Sequence, residues 1–158
     1  MSVLPSDTEK AVYVERMFAR IAPGYDRMNA IMTFGLDRGW RDYAVRAVAP
    51  PAAGRALDIG TGTGDFLHLL AHWMPQGSVV GVDFTLPMMQ AGYHRIDPQR
   101  AAFVGGDALC LPFASGSFDA ITTGFTMRNV VDIPAAFREM YRIARPGCLL
   151  ACLEVARP

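Results

Sequence analysis

Three glycines, Gly60, Gly62 and Gly64, lie close together in the stretch "LDIGTGTGD", between an apolar run and an amphipathic segment. Glycine loses more conformational freedom on folding than any other residue, so it clusters where the backbone turns sharply or is approached closely. In a parallel sheet, the loop after the first strand lies beside the ligand crevice, where the amides of the next helix begin. We therefore expect Gly60, Gly62 and the neighbouring Thr63 to contact a ligand.

Three classes of ligand compete for this loop. A phosphate-binding P-loop requires Gly-Lys followed by Ser or Thr, whereas Gly64 is followed by Asp65. A dinucleotide loop requires the spacing G-x-G-x-x-G, whereas the spacing here is G-x-G-x-G, and Asp65 at the helix start would repel a pyrophosphate. The pattern favours a ligand that brings no phosphate to the loop. S-adenosylmethionine is such a ligand, because it is a nucleoside with a cationic sulfonium and an amino-acid tail.

Acidic residues end three successive predicted strands, at Asp58, Asp83 and Asp107. Asp58 can attract the ammonium group of S-adenosylmethionine through a water molecule. Asp83 can accept the two ribose hydroxyls, as an acid does in dinucleotide sites. Each acid taken alone could also be a helix N-cap. Three acids at three successive strand ends favour the cofactor site.

The adenine ring of this ligand would lie near the third strand. Asp107 can accept from the adenine amino group while the backbone amide of Ala108 meets a ring nitrogen. Phe84 and Leu109 can enclose the ring from its two faces. We add Gly124, at the end of the fourth predicted strand, to the residues expected to contact the cofactor.

The elements that position these residues alternate between strands and helices. Short apolar runs bounded by Gly, Asp or Pro predict strands, and amphipathic runs predict helices. This alternation predicts an α/β fold with a mostly parallel sheet and helices on both faces. The last strand would have an exposed edge or lack a neighbour. The predicted strands are 55–60, 77–83, 101–108, 117–125 and 147–156, and the predicted helices are 65–74, 86–96 and 133–146.

The first fifty residues have a different, helical character. The stretch "TEKAVYVERMFARIAP" predicts a short amphipathic helix that ends before Pro23. Two further helical pieces follow, broken near Gly35 and stopped by Pro50. We therefore expect residues 1–50 to form a helical lid over the substrate and residues 51–158 to form the α/β core of a single domain.

Composition and charge narrow the class of protein. The chain has 158 residues, a formal net charge of zero and 51% apolar residues, so nothing indicates a nucleic-acid partner. Its three cysteines form no C-x-x-C pair, which argues against a disulfide framework and a zinc site, and no metal is expected. A charged N-terminus without an apolar core argues against a signal peptide, and no uncharged stretch is long enough to cross a membrane. These features predict a soluble cytoplasmic protein.

Several of these stretches resemble a known family. The series "LDIGTGTGD", "GVDFT" and "GDALCLPF" with "SFDAI" is similar to the motifs of class I S-adenosylmethionine-dependent methyltransferases, which have a Rossmann-like core. More narrowly, "YDRMNAIMTFGLDRGW" and "RIARPGCLLACLEVA" resemble the two signatures of the UbiE-type quinone C-methyltransferases. The stretch "FTMRNVVD" matches the segment that follows the fourth strand in that family. The resemblance extends from about Phe18 to the end of the sequence.

The resemblance implies C-methylation of a polyprenyl quinol ring, a demethylmenaquinol or a 2-polyprenyl-benzoquinol, in quinone biosynthesis. It implies that Arg128 stabilises the quinolate or orients a water that takes its proton. Asn129 would hydrogen-bond a ring oxygen, and Tyr25 would close over the site from the helical segment. Arg128 and Asn129 could instead be a pair that caps the loop, and Tyr25 a packing aromatic.

The sequence departs from the family pattern at several positions. Thr33 stands where the first signature usually has Ser, and Asp37 where it usually has His. In the second signature Cys148 replaces a Gly and Ala156 replaces a Ser. Family chains continue past "LEVARP" with a helix and an antiparallel strand pair, so strands 6 and 7 of the sheet are expected to be missing from these 158 residues.

Other functions stay open at this point. The chain could methylate another small aromatic or lipid acceptor, or it could be a non-catalytic module that binds S-adenosylmethionine. A dinucleotide-dependent oxidoreductase is disfavoured by the glycine spacing. The expected partners are the quinol, the surface of a membrane at its inner face and a second copy of the chain in a homodimer, with no nucleic acid.

Overall fold

The computed structural model describes residues 7–155, except for the side chains of residues 7–11, 23, 26, 27, 29 and 30. Within residues 7–155, six helices and five strands follow the predicted order, with three short 3₁₀ turns between them. Ala156, one of the departures from the second signature, lies outside the described residues. The helices are α1 (Asp7–Ile21), α2 (Tyr25–Met32), α3 (Asp37–Val48), α4 (Asp65–Trp73), α5 (Leu86–Gly92) and α6 (Ile133–Ile143); the strands are β1 (Arg55–Ile59), β2 (Ser78–Asp83), β3 (Ala101–Gly105), β4 (Phe118–Gly124) and β5 (Ala144–Leu153).

The five strands form one parallel sheet with the order β3-β2-β1-β4-β5. Leu57 at the centre of β1 lies opposite Val80 of β2 and Ile121 of β4. The strand order reverses between β1 and β4, and in such a sheet ligands bind beyond the carboxyl ends of the strands at that reversal. The α/β fold predicted from the sequence is confirmed, and β5 lies at an edge of the sheet.

Alternate residues of β1 face two separate apolar cores, because successive side chains of a strand point to opposite faces. Ala56 packs in one core with Val45 of α3 and Leu70 of α4. Leu57 packs in the other core with Met140 of α6. Helices therefore cover both faces of the sheet, as expected.

The helical N-terminal segment divides into two parts. α1 and the 3₁₀ turn after it contact α5, and Val14 and Ala22 are buried there. α3 instead packs against β4 and β5, with Ala44 and Val48 in the apolar core. By packing, α3 belongs to the core, so the boundary expected at residue 50 falls after a core helix. The role of the helical segment as a lid stays a prediction.

Two elements end earlier in the structure than predicted, each for a local reason. β3 ends at Gly105 rather than at residue 108, because the chain turns at residues 108 and 109, where the Cys110 amide donates to the carbonyl of Asp107 at 3.0 Å. α6 ends at Ile143 rather than at residue 146, because a residue that precedes proline, here Arg145 before Pro146, is disfavoured in a helix. β5 therefore begins three residues earlier than expected.

None of the helices within residues 7–155 is both long enough and apolar enough to cross a membrane.

Candidate functional site

The glycine loop binds to β2 through three consecutive amides. The amides of Gly60 and Thr61 both donate to the carbonyl of Val82, at 2.9 and 3.1 Å. The amide of Gly62 donates to Oδ2 of Asp83 at 2.8 Å. These three donors are used inside the protein, so they cannot cradle a phosphate. The geometry agrees with a ligand that brings no phosphate to this loop.

Side chains of the protein itself, and not only a ligand, lie close to the glycines of the loop. Gly60 has a φ of +69°, and a Cβ atom there would lie 2.2 Å from the hydroxyl oxygen of Thr126. Gly64 has a φ of +88°, and a Cβ atom there would lie 2.9 Å from the ring of Phe103. Both positions combine a left-handed backbone with a crowded neighbour, so only glycine fits them.

Asp83 joins the end of β2 to the glycine loop. Its Oδ1 accepts from the amide of Thr85 and its Oδ2 from the amide of Gly62, both at 2.8 Å. The side chain lies in the wall of a cleft, although the residue is only 8% exposed. Burial raises the pKa of Asp83 above its usual value, against the opposing effect of the two amides. The Thr85 hydroxyl and the Phe84 amide also hydrogen-bond this carboxylate, so internal donors take up much of its capacity to accept.

Asp58 lies beneath the cleft rather than in its wall. It is 2% exposed, and Oδ1 accepts from the hydroxyl of Thr122 at 2.9 Å. Burial raises the pKa of Asp58 to about 7, although hydrogen bonds and the charge of Arg41 oppose the shift. Its charge at neutral pH is therefore set by small changes in its surroundings, such as the arrival of a cation.

The expected adenine contacts meet on one side of the cleft. Phe84, Asp107, Ala108 and Leu109 all line it. Asp107 lies two residues beyond the end of β3, not at the strand end, and its Oδ1 accepts from the amide of Leu109 at 2.9 Å. This turn therefore occupies the Leu109 amide, and Ala108 and Leu109 line the same cleft as Phe84.

Thr63 differs from the other expected cofactor residues. It is buried and does not line the cleft. Its carbonyl packs against Gly92 of α5, where a Cβ atom would lie 2.0 Å from the carbonyl oxygen. Thr63 therefore supports the loop from behind, in contact with α5.

The segment after β4 forms the opposite side of the cleft. Gly124, Phe125 and Asn129 line it. Arg128 does not line it: the side chain is exposed, and its guanidinium carbon lies 5.5 Å from the centre of the Phe125 ring. The structure thus brings Asn129 to the cleft and places Arg128 at the rim. The sequence reasoning missed Glu154, whose carboxylate accepts from the amide of Met127 at 2.7 Å and holds this segment to β5.

The helices α1 and α2 contribute apolar side chains to the same cleft. Tyr25 begins α2 and lines the cleft together with Val14 and Phe18 of α1. The rings of Phe18 and Tyr25 lie 5.8 Å apart in an edge-to-face arrangement. Tyr25 is thus brought to the cleft, and its closing over a bound acceptor stays a prediction.

A buried ion-pair network beside the cleft was also missed. Arg41 of α3 pairs with Asp37 one turn earlier, and its Nη2 lies 3.4 Å from Oδ2 of Asp65. Asp65 also accepts from Arg95 at 2.8 Å, so two arginines offset its negative charge. Asp65 is therefore not what excludes a pyrophosphate from the loop. The occupied amides of the loop exclude it. The only sequence signal was the Asp-Arg spacing of four residues, which is common on exposed helices.

The two departures in the first signature belong to this network. The hydroxyl of Thr33 donates to Oδ1 of Asp37 at 2.8 Å, while Oδ2 of Asp37 faces Arg41. Burial alone would raise the pKa of Asp37, but the hydrogen bonds from Thr33 and Arg41 lower it below its usual value. Thr33 and Asp37 therefore form one hydrogen-bonded unit that fixes the buried arginine.

The described residues fit S-adenosylmethionine. The cleft combines a nearly buried carboxylate at Asp83, a second buried carboxylate beneath it at Asp58 and an apolar pocket for a base between Phe84 and Leu109. Two acids suit a ligand with a sulfonium and an ammonium, whereas they would repel a phosphate.

Comparison with known proteins agrees with this fit. Residues 6–158 match the model of the ubiE/COQ5 methyltransferase family. Demethylmenaquinone methyltransferase of Roseiflexus castenholzii is 71% identical over 157 residues, which are 99% of this chain and 66% of that protein. The 2-phytyl-1,4-naphtoquinone methyltransferase of Thermosynechococcus vestitus is 44% identical over 148 residues, which are 92% of this chain and 65% of that protein. The chain thus spans about two thirds of the length of these curated relatives.

A solved structure shares the fold. A SAM-dependent methyltransferase of Thermotoga maritima superposes with a TM-score of 0.69 at 27% sequence identity, covering 87% of this chain and 59% of that one. The expected Rossmann-like class I core is confirmed by this likeness. The chain belongs to the ubiE/COQ5 methyltransferase family.

Proposed function

We propose that this protein transfers a methyl group from S-adenosylmethionine to a ring carbon of a polyprenyl quinol. The observation that carries the proposal is a single cleft with two chemically different sides. Asp83 and Ala108 line the side suited to a nucleoside, and Tyr25 and Asn129 line the side suited to an aromatic acceptor. Relatives named for demethylmenaquinone and 2-phytyl-1,4-naphtoquinone support a naphthoquinol as the acceptor.

The protein's first task is to hold the cofactor. S-adenosylmethionine supplies, when bound, a methyl group already activated by the sulfonium, so the enzyme needs mainly to align the reactants and exclude water. Asp83, which lines the cleft, would accept the ribose hydroxyls on the side of its carboxylate that faces the cleft. Asp107 and the amide of Ala108 would select the adenine, and the charge of Asp58 would favour the cationic tail.

The second task is to make the quinol carbon nucleophilic. A ring carbon beside a hydroxyl gains electron density when that hydroxyl loses its proton, and a phenol has a pKa near ~10. A cation nearby favours the anion and lowers that pKa. Arg128 at the rim would supply this charge, and the side-chain amide of Asn129 would donate to the ring oxygen. Phe18 and Tyr25 would exclude water from above.

Replacing Arg128 with Ala tests this assignment. Its guanidinium is exposed and forms none of the ion pairs in the described part of the chain, so the fold should survive. We expect loss of methyl transfer to demethylmenaquinol with unchanged affinity for S-adenosylhomocysteine by calorimetry. Arg138→Ala, an exposed arginine on α6, is the matched control and should keep full turnover. A non-catalytic binding module would instead bind S-adenosylhomocysteine and transfer no methyl group in any variant.

We also propose that the protein meets its acceptor at the inner face of a membrane, because the tail of a polyprenyl quinol dissolves in lipid. Support comes from the turn between α2 and α3, where four large apolar side chains are exposed: Ile31, Met32, Phe34 and Leu36. Phe34 is 91% exposed, which is unusual for an aromatic side chain. The exposed Arg38 in the next turn would favour anionic lipid headgroups. A homodimer that buries the same turn is the competing partner.

A further inference from the structure

Arg41 is a buried arginine whose charge is balanced by two acids on different helices. Its side chain is 7% exposed, and it contacts Asp37 of α3 and Asp65 of α4. A buried cation is costly unless it is paired, and the two carboxylates provide that pairing. The network therefore fixes the guanidinium in one place, at the end of the sheet where the cleft lies.

The same guanidinium lies over the ring of Phe125. Its central carbon is 5.2 Å from the ring centre, within the range in which a cation is attracted to an aromatic face. Phe125 has a φ of +57°, a backbone conformation that residues other than glycine rarely adopt. Such a conformation persists only where surrounding contacts hold it. Arg41 and the 2.8 Å hydrogen bond from the Phe125 amide to the carbonyl of Leu153 are two such contacts.

Phe125 in turn connects to the residues of the proposed reaction. Its ring lines the cleft and lies 5.5 Å from the guanidinium carbon of Arg128. One aromatic ring thus contacts both a fixed, buried arginine and an exposed arginine at the rim. The ring's position limits where the Arg128 side chain can lie, and Arg41 limits where the ring can lie.

We propose that Arg41 is a positioning residue, which acts through Phe125 to hold residues 125–129, and with them Arg128 and Asn129, at the acceptor side of the cleft. The inference rests on the proposed function, because it assigns Arg41 to the same reaction. A buried ion pair with a purely structural role is the alternative. A positioning role predicts that Arg41 and Phe125 are energetically coupled and that replacing Arg41 changes the pH at which the quinol loses its proton. A purely structural role predicts neither.

The first experiment measures the energetic coupling between Arg41 and Phe125 and requires no enzymatic activity. We compare the free energy of urea unfolding for Arg41→Met, Phe125→Leu and the double variant. Coupled residues in contact lose less in the double variant than the sum of the single losses. Arg46→Met is the matched control, because Arg46 lies on the same helix, pairs with Asp42 and sits 5.5 Å over the Trp73 ring, but its side chain is 63% exposed. Arg46→Met should combine additively with Phe125→Leu.

The second experiment measures methyl transfer as a function of pH. Arg41→Met should lower kcat about tenfold, the rate equivalent of one cation–π contact, while the Kd for S-adenosylhomocysteine changes less than about twofold. The ascending limb of the kcat profile should move to higher pH, because the cation that favours the quinolate is displaced. Arg41→Lys should recover part of kcat, and Arg46→Met should change neither quantity.

The possible results distinguish a failure of the positioning role of Arg41 from a failure of the proposed function. Additive effects of Arg41→Met and Phe125→Leu, or an unchanged pH profile in both variants, would overturn the positioning role. Absence of methyl transfer by the unmodified protein would overturn the proposed function, whereas the unfolding cycle still decides whether Arg41 holds Phe125. If Arg41→Met does not fold, Phe125→Leu alone must reproduce the pH shift, because it breaks the same connection, and an unshifted profile there contradicts the inference.

Discussion

The carboxylate of Asp83 accepts a 2.8 Å hydrogen bond from the amide of Gly62, so the acid at the end of β2 holds the glycine loop at the end of β1. The amides of Gly60 and Thr61 donate to the carbonyl of Val82, so the first three amides of the loop are all occupied within the protein. Under the proposed function, the carboxylate that holds the loop would also accept the ribose hydroxyls of S-adenosylmethionine.

Asp83→Ala is expected to weaken binding of S-adenosylhomocysteine about 100-fold, because two hydrogen bonds to a charged acceptor are lost and the loop is released. Calorimetric titration measures this. Asp119→Ala is the control, since Asp119 also accepts from a backbone amide, that of Arg55 at 2.8 Å, but at the opposite end of the sheet. Equal weakening in the two variants would show that the effect is general destabilisation.

The stability of the ligand-free protein should depend on the protonation of Asp58. Its pKa is about 7 in the folded protein and near ~3.9 when unfolded. Between these values the folded state holds a proton that the unfolded state has released, so the free energy of unfolding should fall as pH rises from about 4 to 7. Urea titrations across this range should show a shallower slope for Asp58→Asn; Asp83, whose pKa is also raised, contributes the slope that remains. An identical slope in the variant would contradict the assignment.

Gly60→Ala should destabilise the fold through a clash as well as through backbone strain. The new Cβ atom would lie 2.2 Å from the Thr126 hydroxyl, with φ at +69°. Gly116→Ala isolates the strain, because Gly116 has a φ of +62° but nothing within 4 Å of a Cβ atom. We expect the loss in free energy of unfolding to be about 2 kcal/mol larger for Gly60→Ala. Equal losses would mean that Thr126 does not press on the loop.

Phe34→Ser and Leu36→Ser should reduce flotation of the protein with vesicles that contain phosphatidylglycerol. Both side chains are exposed, so their removal should not affect folding. Tyr141→Ser is the matched control, because Tyr141 is 86% exposed but lies on α6, away from the α2–α3 turn. Flotation that is equal in all variants would reject membrane contact at this turn, and sedimentation of a dimer that Phe34→Ser disrupts would assign the turn to a second copy of the chain.

Sequence patterns predicted the sheet and most of the cleft because they depend on local chemistry. The run that contains Leu57 is apolar enough to predict a buried strand, and Asp83 follows a similar run, so both are placed by neighbours in sequence. Element ends were less accurate where a tight turn or a proline changed the backbone, after β3 and before Pro146.

Contacts between distant segments could not be predicted in this way. Thr126 presses on Gly60 and Thr122 donates to Asp58 across 66 and 64 positions. The placement of Arg41 over Phe125 likewise depends on how α3 packs against the sheet, which no local pattern encodes. The exposure of Arg128, rather than a place in the cleft wall, was likewise not predicted.

The most direct test of the central claim is transfer of a labelled methyl group from S-adenosylmethionine to demethylmenaquinol by the purified protein, with the product analysed by mass spectrometry. The account predicts one methyl group on a ring carbon, formed in the unmodified protein and lost in Arg128→Ala. A protein that binds S-adenosylhomocysteine but leaves demethylmenaquinol and 2-polyprenyl-benzoquinol unmethylated would contradict the proposed function.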